Sequence, residues 1–192
     1  MLPPEHFHRA APTVATGRRK PDPIWTEICI GLALAFGLVA TATARADLKV
    51  GEPFPVLAEA GLTGADVPVI TGRVVLVDFW ASWCAPCKAS FPIYAKLLED
   101  YQARGLVILA VSVDEKQEPY EAFVKRLAPP FAVVRDKAHE LVGRVGVPAM
   151  PTCYLLGPDG KVRAVHQGFH GDKTEKELRK EIEVVLAEIK PS

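Results

Sequence analysis

The sequence predicts an α/β domain built on a central mixed β-sheet with helices on both faces. Three observations carry that expectation. Two nearly continuous β-prone runs, residues 74–80 and 106–113, flank one amphipathic stretch. Two further β-prone runs, residues 152–156 and 162–167, are separated by the turn-forming Gly157-Pro158-Asp159-Gly160. A last amphipathic stretch closes the chain. Strands that alternate with helices and finish in a hairpin and a helix give this layered arrangement. The helix between the first two long strands makes them parallel, with a right-handed crossover.

Each element has its own justification. Residues 47–71 are rich in turn formers (Gly51, Pro53, Pro55, Gly61, Gly64, Pro68), and the apolar pieces 54–57 and 67–70 are expected to pair as a hairpin at a sheet edge. Residues 74–80 read as a strand buried on both faces, with Asp78 as its one exception. Residues 85–104 read as a helix, because Phe91, Tyr94, Leu97, Leu98 and Tyr101 recur at spacings of three and four. Pro92 should kink that helix and Gly105 should end it. Residues 118–127 form a short helix with Phe123 and Leu127 on one face, 131–134 a short strand after Pro129-Pro130, and 138–145 a helix stopped by Gly146. In the last helix Thr174 is expected as the cap, with Glu177 at capping-box spacing. Leu178, Ile182, Val185, Leu186 and Ile189 form its apolar stripe.

The first 46 residues read differently. An apolar run at 28–40 follows Arg18, Arg19 and Lys20 and precedes Ala44-Arg45-Ala46. Basic flank, short apolar core and small-x-small site describe a secretory signal peptide. The core is short beside the roughly 20 apolar residues of a membrane-spanning helix; a retained anchor at 28–44 is the alternative. The expected division is therefore 1–46, tail and signal peptide or membrane anchor, and 47–192, one globular domain. Either route exports the domain to the periplasm, where disulfides form and persist. With 23 basic and 23 acidic residues the charges cancel, so electrostatics gives no case for nucleic acid. Cys29 falls in the leader, which leaves Cys84, Cys87 and Cys153, an odd number.

Cys84 and Cys87 stand at C-x-x-C spacing where the apolar strand gives way to the first helix. Unpaired N–H groups and the positive end of the helix dipole favour a thiolate there, and Lys88 adds a nearby positive charge. Cys84, nearer the helix start, is the expected nucleophile, and Cys87, one turn on, the expected resolving thiol. Half of a zinc site has the same spacing, so a copper- or zinc-binding or delivery module is the alternative, with Cys153 or the scattered His139, His166 and His170 as further ligands. A disulfide that is never reduced is a third reading. Asp78, a carboxyl in a buried strand, is costly unless paired or protonated; burial should raise its pKa and make it a proton acceptor for Cys87. An edge aspartate facing water, or one bridged to a buried lysine, are its other readings. Trp83 is either a partly exposed contact for partners or ordinary packing, and Trp80 is expected in the core.

These residues carry a resemblance. Val77-Asp78-Phe79-Trp80-Ala81-Ser82-Trp83-Cys84-Ala85-Pro86-Cys87-Lys88 with Phe91-Pro92, then Gly146-Val147-Pro148-Ala149-Met150-Pro151-Thr152, then Leu156-Gly157-Pro158-Asp159-Gly160-Lys161-Val162 resemble, in order, the thioredoxin superfamily and in particular the exported TlpA/ResA-like thiol-disulfide oxidoreductases. The resemblance implies a thioredoxin-like fold with an N-terminal β extension and a central helical insert. It implies a redox-active disulfide between Cys84 and Cys87, no cofactor or metal, and Pro151 as a cis-proline facing that disulfide. It makes Trp83, Ala85, Pro86, Met150 and Pro151 the substrate-binding residues, and the partners protein thiols and disulfides of the cell envelope, with a membrane electron donor and a monomeric chain. It tilts the direction of electron flow toward reduction. Two positions depart from the pattern. Ser90 stands where several reductive relatives carry glutamate, and Cys153 two residues after Pro151 is unusual; period two puts Cys153 and Pro151 on one side of the strand, as a buried inert thiol or a third redox or metal-binding one. A peroxidase is disfavoured because Ala81, not threonine, lies three residues ahead of Cys84.

Overall fold

The computed structural model describes residues 47–189; the expected leader and anchor lie outside them. Six strands form a single sheet: β1 (Thr63–Gly64), β2 (Val74–Trp80), β3 (Leu106–Ser112), β4 (Ala132–Arg135), β5 (Thr152–Leu156) and β6 (Val162–Gln167). Their order across the sheet is β1-β4-β3-β2-β5-β6. β2, β3 and β4 run parallel, whereas β5, β6 and the short β1 are antiparallel to their neighbours. Four helices cover the sheet: α1 (Ala85–Tyr101), α2 (Gln117–Leu127), α3 (Glu140–Val145) and α4 (Asp172–Leu186).

β2 is central because every one of its residues is apolar except Asp78, and all seven are buried. Burying a large apolar side chain stabilises by about 1.5–3 kcal/mol, so a run of this kind has no stable position at an edge. Alternation along β2 sends its side chains to two layers. Val74 and Leu76 pack with Tyr94 and Leu97 of α1, Leu178 and Ile182 of α4, and Leu155. Val75, Val77 and Phe79 pack on the opposite face with Leu141 and Val145 of α3 and with Leu48 and Leu57 of the N-terminal segment. At the end of the strand Trp80 stacks against Phe123 of α2 at 4.2 Å between ring centroids and meets Phe91 of α1 edge-on at 5.2 Å. That aromatic cluster fixes α1 and α2 beside the C-terminal end of β2, where the motif lies.

Three local expectations are corrected. Residues 54–57 and 67–70 do not pair as a hairpin; Thr63–Gly64 pairs instead with Arg135 and Val134 of β4, Leu57–Glu59 is a single 3-10 turn, and Pro53 bridges to Lys161. The first helix is α-helical to Tyr101 and tightens into a 3-10 turn over Gln102–Arg104. Gly105 then turns the chain at φ 107, where a Cβ would lie 2.8 Å from the Ile189 side chain, so glycine is required twice over. Thr174 is not the cap of the last helix: the helix starts at Asp172, and the Thr174 hydroxyl accepts the His170 N–H at 2.9 Å. Pro92 lies inside α1 as expected.

Candidate active site: a disulfide at a helix start above a buried carboxyl

Cys84 is the N-cap of α1, in extended backbone (φ −82, ψ 106). Its sulfur is bonded to that of Cys87 at 2.01 Å, with the two Cα atoms 5.4 Å apart. The Cys87 N–H donates to Cys84 Sγ at 3.3 Å, so a backbone donor left free by the helix start points at the sulfur. The first turn contains no acidic residue and carries a proline, whose missing N–H costs nothing at that place. Cys84 is 3% exposed and Cys87 0%. Around them Trp83, Ala85, Pro86 and Lys88 are exposed, Trp83 to 70%; Trp83 is a solvent-facing aromatic and Trp80 is core.

The loop before Cys84 is held from across the sheet. The Val113 N–H donates to the Trp80 carbonyl at 2.9 Å, and the Cys84 N–H to the Ala81 carbonyl at 3.1 Å. Between them, Asp114 accepts the Ser82 N–H at 3.0 and 3.2 Å on its two oxygens and the Ser82 and Ser112 hydroxyls at 2.8 Å each. Asp114 is 3% exposed. Sequence reasoning missed this clamp. The signal available was an aspartate just after a strand that runs parallel to the motif strand, two residues beyond the serine that bonds it.

Asp78 is fully buried on β2, between Ala110 of β3 and Cys153 of β5 in the register of the sheet. The Tyr94 hydroxyl of α1 donates to Asp78 Oδ1 at 3.0 Å, and Oδ2 has no partner among the described residues. Burial pushes the carboxyl up to about 8, against the opposing pull of the Tyr94 hydrogen bond. The readings of Asp78 as an edge residue or a lysine partner are therefore excluded. Cys153 is buried and unpaired; burial, reinforced by the Asp78 charge, holds its thiol well above the ordinary range.

The Met150–Pro151 bond is cis, and Met150 packs against the cluster that contains both disulfide sulfurs. The carbonyls on either side of Met150 are engaged. Ala149 accepts the Thr152 hydroxyl at 2.8 Å and Pro151 the Gly168 N–H at 2.7 Å. Among the described residues the Met150 N–H and C=O make no hydrogen bond of their own. An extended peptide could pair with them. Among the described residues no three His, Cys, Asp or Glu side chains are placed to hold a metal ion. His139 bonds the Val113 carbonyl and His166 bonds Glu181.

A sheet of this order with a C-x-x-C disulfide at the start of its first long helix and a cis-proline beside it defines a thioredoxin-fold thiol-disulfide oxidoreductase. The chain belongs to the AhpC/TSA family, whose model matches residues 50–165. It is 30% identical over 151 residues to the thiol-disulfide oxidoreductase ResA of Bacillus thuringiensis (strain Al Hakam), covering 78% of this chain and 84% of that protein. The ResA protein of Geobacillus thermodenitrificans (strain NG80-2) is 29% identical over 165 residues, covering 83% and 93%. A solved structure of a putative thiol:disulfide interchange protein DsbE from Chlorobium tepidum matches with a TM-score of 0.59 at 36% identity, over 61% of this chain and 82% of that one.

Proposed function

We propose that the protein works in the periplasm as a protein-disulfide reductase, with Cys84 as nucleophile and Cys87 as resolving thiol. One observation supports these roles above the others: the Cys87 N–H, a free donor of the helix start, is aimed at Cys84 Sγ. In the reduced protein that donor and the helix dipole stabilise a Cys84 thiolate. The thiolate attacks a substrate disulfide, forming a mixed disulfide and releasing one substrate thiolate. Cys87 then gives its proton to Asp78 and attacks Cys84 Sγ. The mixed disulfide breaks, the second substrate sulfur leaves, and the Cys84–Cys87 bond closes. Two electrons have passed from the protein to the substrate, and a membrane donor returns them. Met150 pairs its free backbone groups with the substrate strand, Pro151 sets that edge in place, and Trp83, Ala85 and Pro86 provide the exposed apolar contact.

Location rests on the leader: basic flank, short apolar core and Ala44-Arg45-Ala46, either cleaved or kept as an anchor at 28–44. Among the described residues no helix is long and apolar enough to cross a membrane. Direction rests on the resemblance to reductive relatives. Cys87→Ala, expressed in the host envelope, is expected to freeze partners on Cys84 as mixed disulfides identifiable by mass spectrometry. An empty trap under reducing and oxidising conditions would overturn the exchange roles. A reduction potential near the roughly −120 mV of strong oxidants would overturn the direction.

A further inference from the structure

Tyr94 enters the sequence as one apolar position among five on α1, yet its hydroxyl is the sole polar partner of Asp78 among the described residues. Both side chains are sealed, Tyr94 to 1% and Asp78 to 0% exposure. Ser90 and Cys153 also lie beside the Tyr94 hydroxyl. Ser90 already donates to the Cys87 carbonyl at 2.9 Å. A polar chain thus runs from the helix turn that carries Cys87, through Tyr94, to a carboxyl with one oxygen bonded and the other unpartnered.

We propose that Tyr94 is a positioning residue for the resolving half-reaction: its hydroxyl holds Asp78 Oδ1, fixes the plane of the carboxyl, and leaves Oδ2 as the oxygen that takes the Cys87 proton. The inference rests on Asp78 being that acceptor. A buried carboxyl without a donor would be free to rotate and would give up its proton still less readily; a donor that favours the charged form offsets part of the cost of burial. The groups facing Asp78 are few. Tyr94 comes from α1, Cys153 from β5 and Ala110 from β3; behind Cys153 stand His166 of β6 and its partner Glu181 of α4, and α4 adds the apolar Leu178 and Ile182 to the same layer. A shift in the proton transfer can therefore be traced to Tyr94, or to Cys153 with the His166–Glu181 pair behind it.

The test uses 5,5′-dithiobis(2-nitrobenzoate) and the fully reduced protein. Attack by Cys84 releases one thionitrobenzoate and leaves a mixed disulfide; attack by Cys87 on Cys84 Sγ releases the second. Followed against pH, the second release reports the resolving step alone. In Tyr94→Phe the first release is expected unchanged. The second is expected about threefold slower at pH 7, with its midpoint moved up by about half a unit, at tenfold per unit. In the Asp78→Asn background the Tyr94→Phe change should have no further effect, whereas a packing role would slow both backgrounds alike. Cys153→Ser should leave the midpoint in place. An unmoved midpoint in Tyr94→Phe, with the second release altered in Asp78→Asn, overturns the role of Tyr94 and spares that of Asp78. A second release unaltered in Asp78→Asn overturns both. Infrared spectra of the wild-type protein, differenced against Asp78→Asn at pH 6, provide a check that needs no tyrosine variant. The carboxylic C=O band should lie at a hydrogen-bonded frequency, and a free-acid frequency overturns the proposal.

Discussion

Cys84 and Cys153 are almost equally hidden, at 3% and 2% exposure, yet their surroundings push them in opposite directions. Cys84 caps a helix, and a backbone N–H points at its sulfur. Cys153 sits in mid-strand beside a carboxyl, and burial holds its thiol well above the ordinary range. On the roles proposed above, the difference teaches that a cysteine in this fold is made reactive by what is aimed at it, not by solvent access. Free backbone donors and the helix dipole favour the anion; an apolar layer with a carboxyl in it does the opposite.

The largest expected effect lies in that apolar layer. Asp78 is raised in the folded chain from the ordinary 3.8 to about 8. Between those values the folded protein binds a proton that the unfolded chain has lost, so stability falls as pH rises from about 4 to 8. Asp78→Asn should remove that slope. At about 1.36 kcal/mol per pKa unit it should stabilise the protein at pH 8 by on the order of 5 kcal/mol, measured by urea denaturation at pH 5 and pH 8. A parallel slope in the variant would mean that another group carries the pH dependence.

The clamp on the motif loop comes next. Asp114→Ala leaves the Ser82 N–H and the Ser82 and Ser112 hydroxyls without their acceptor. At about 1–3 kcal/mol for each buried group left unpaired, less where water enters, the loss should be about 2–3 kcal/mol of stability. It should be accompanied by a slower first thionitrobenzoate release, because the loop that presents Cys84 loosens. Unchanged release would separate the clamp from the site. The smallest effect is expected at Cys153. Cys153→Ser buries a hydroxyl and should cost about 1–3 kcal/mol, while exchange with a disulfide substrate stays within about twofold. A larger fall in exchange would make Cys153 a participant and break the contrast with Cys84.

What was legible in the sequence is what is local. β2 shows as an apolar run interrupted at Asp78 alone, β5 and β6 as a hairpin around four turn residues, and the site as a C-x-x-C at a strand-to-helix junction. The N-terminal region was not legible, because Thr63–Gly64 is a strand solely by virtue of its pairing with β4, some 70 residues away. Thr174 misled because its local capping signal competes with a chain that enters α4 earlier, through Gly171 at φ 60. The two polar contacts behind the motif, Tyr94 to Asp78 and Asp114 to Ser82, join residues 16 and 32 positions apart. Periodicity sorts Tyr94 as apolar and cannot see the acceptor that its hydroxyl meets.

The central claim is that the helix start makes the Cys84 sulfur the easily ionised one. Alkylation of the reduced protein by iodoacetamide across pH, with each cysteine resolved by mass spectrometry, tests it most directly. Cys84 should be modified with a midpoint within the roughly 3.5–7.5 range of activated cysteines, while Cys87 and Cys153 stay unmodified at that pH. A Cys84 midpoint at the free-thiol value of about 8.5, or modification of Cys153 first, would contradict the account.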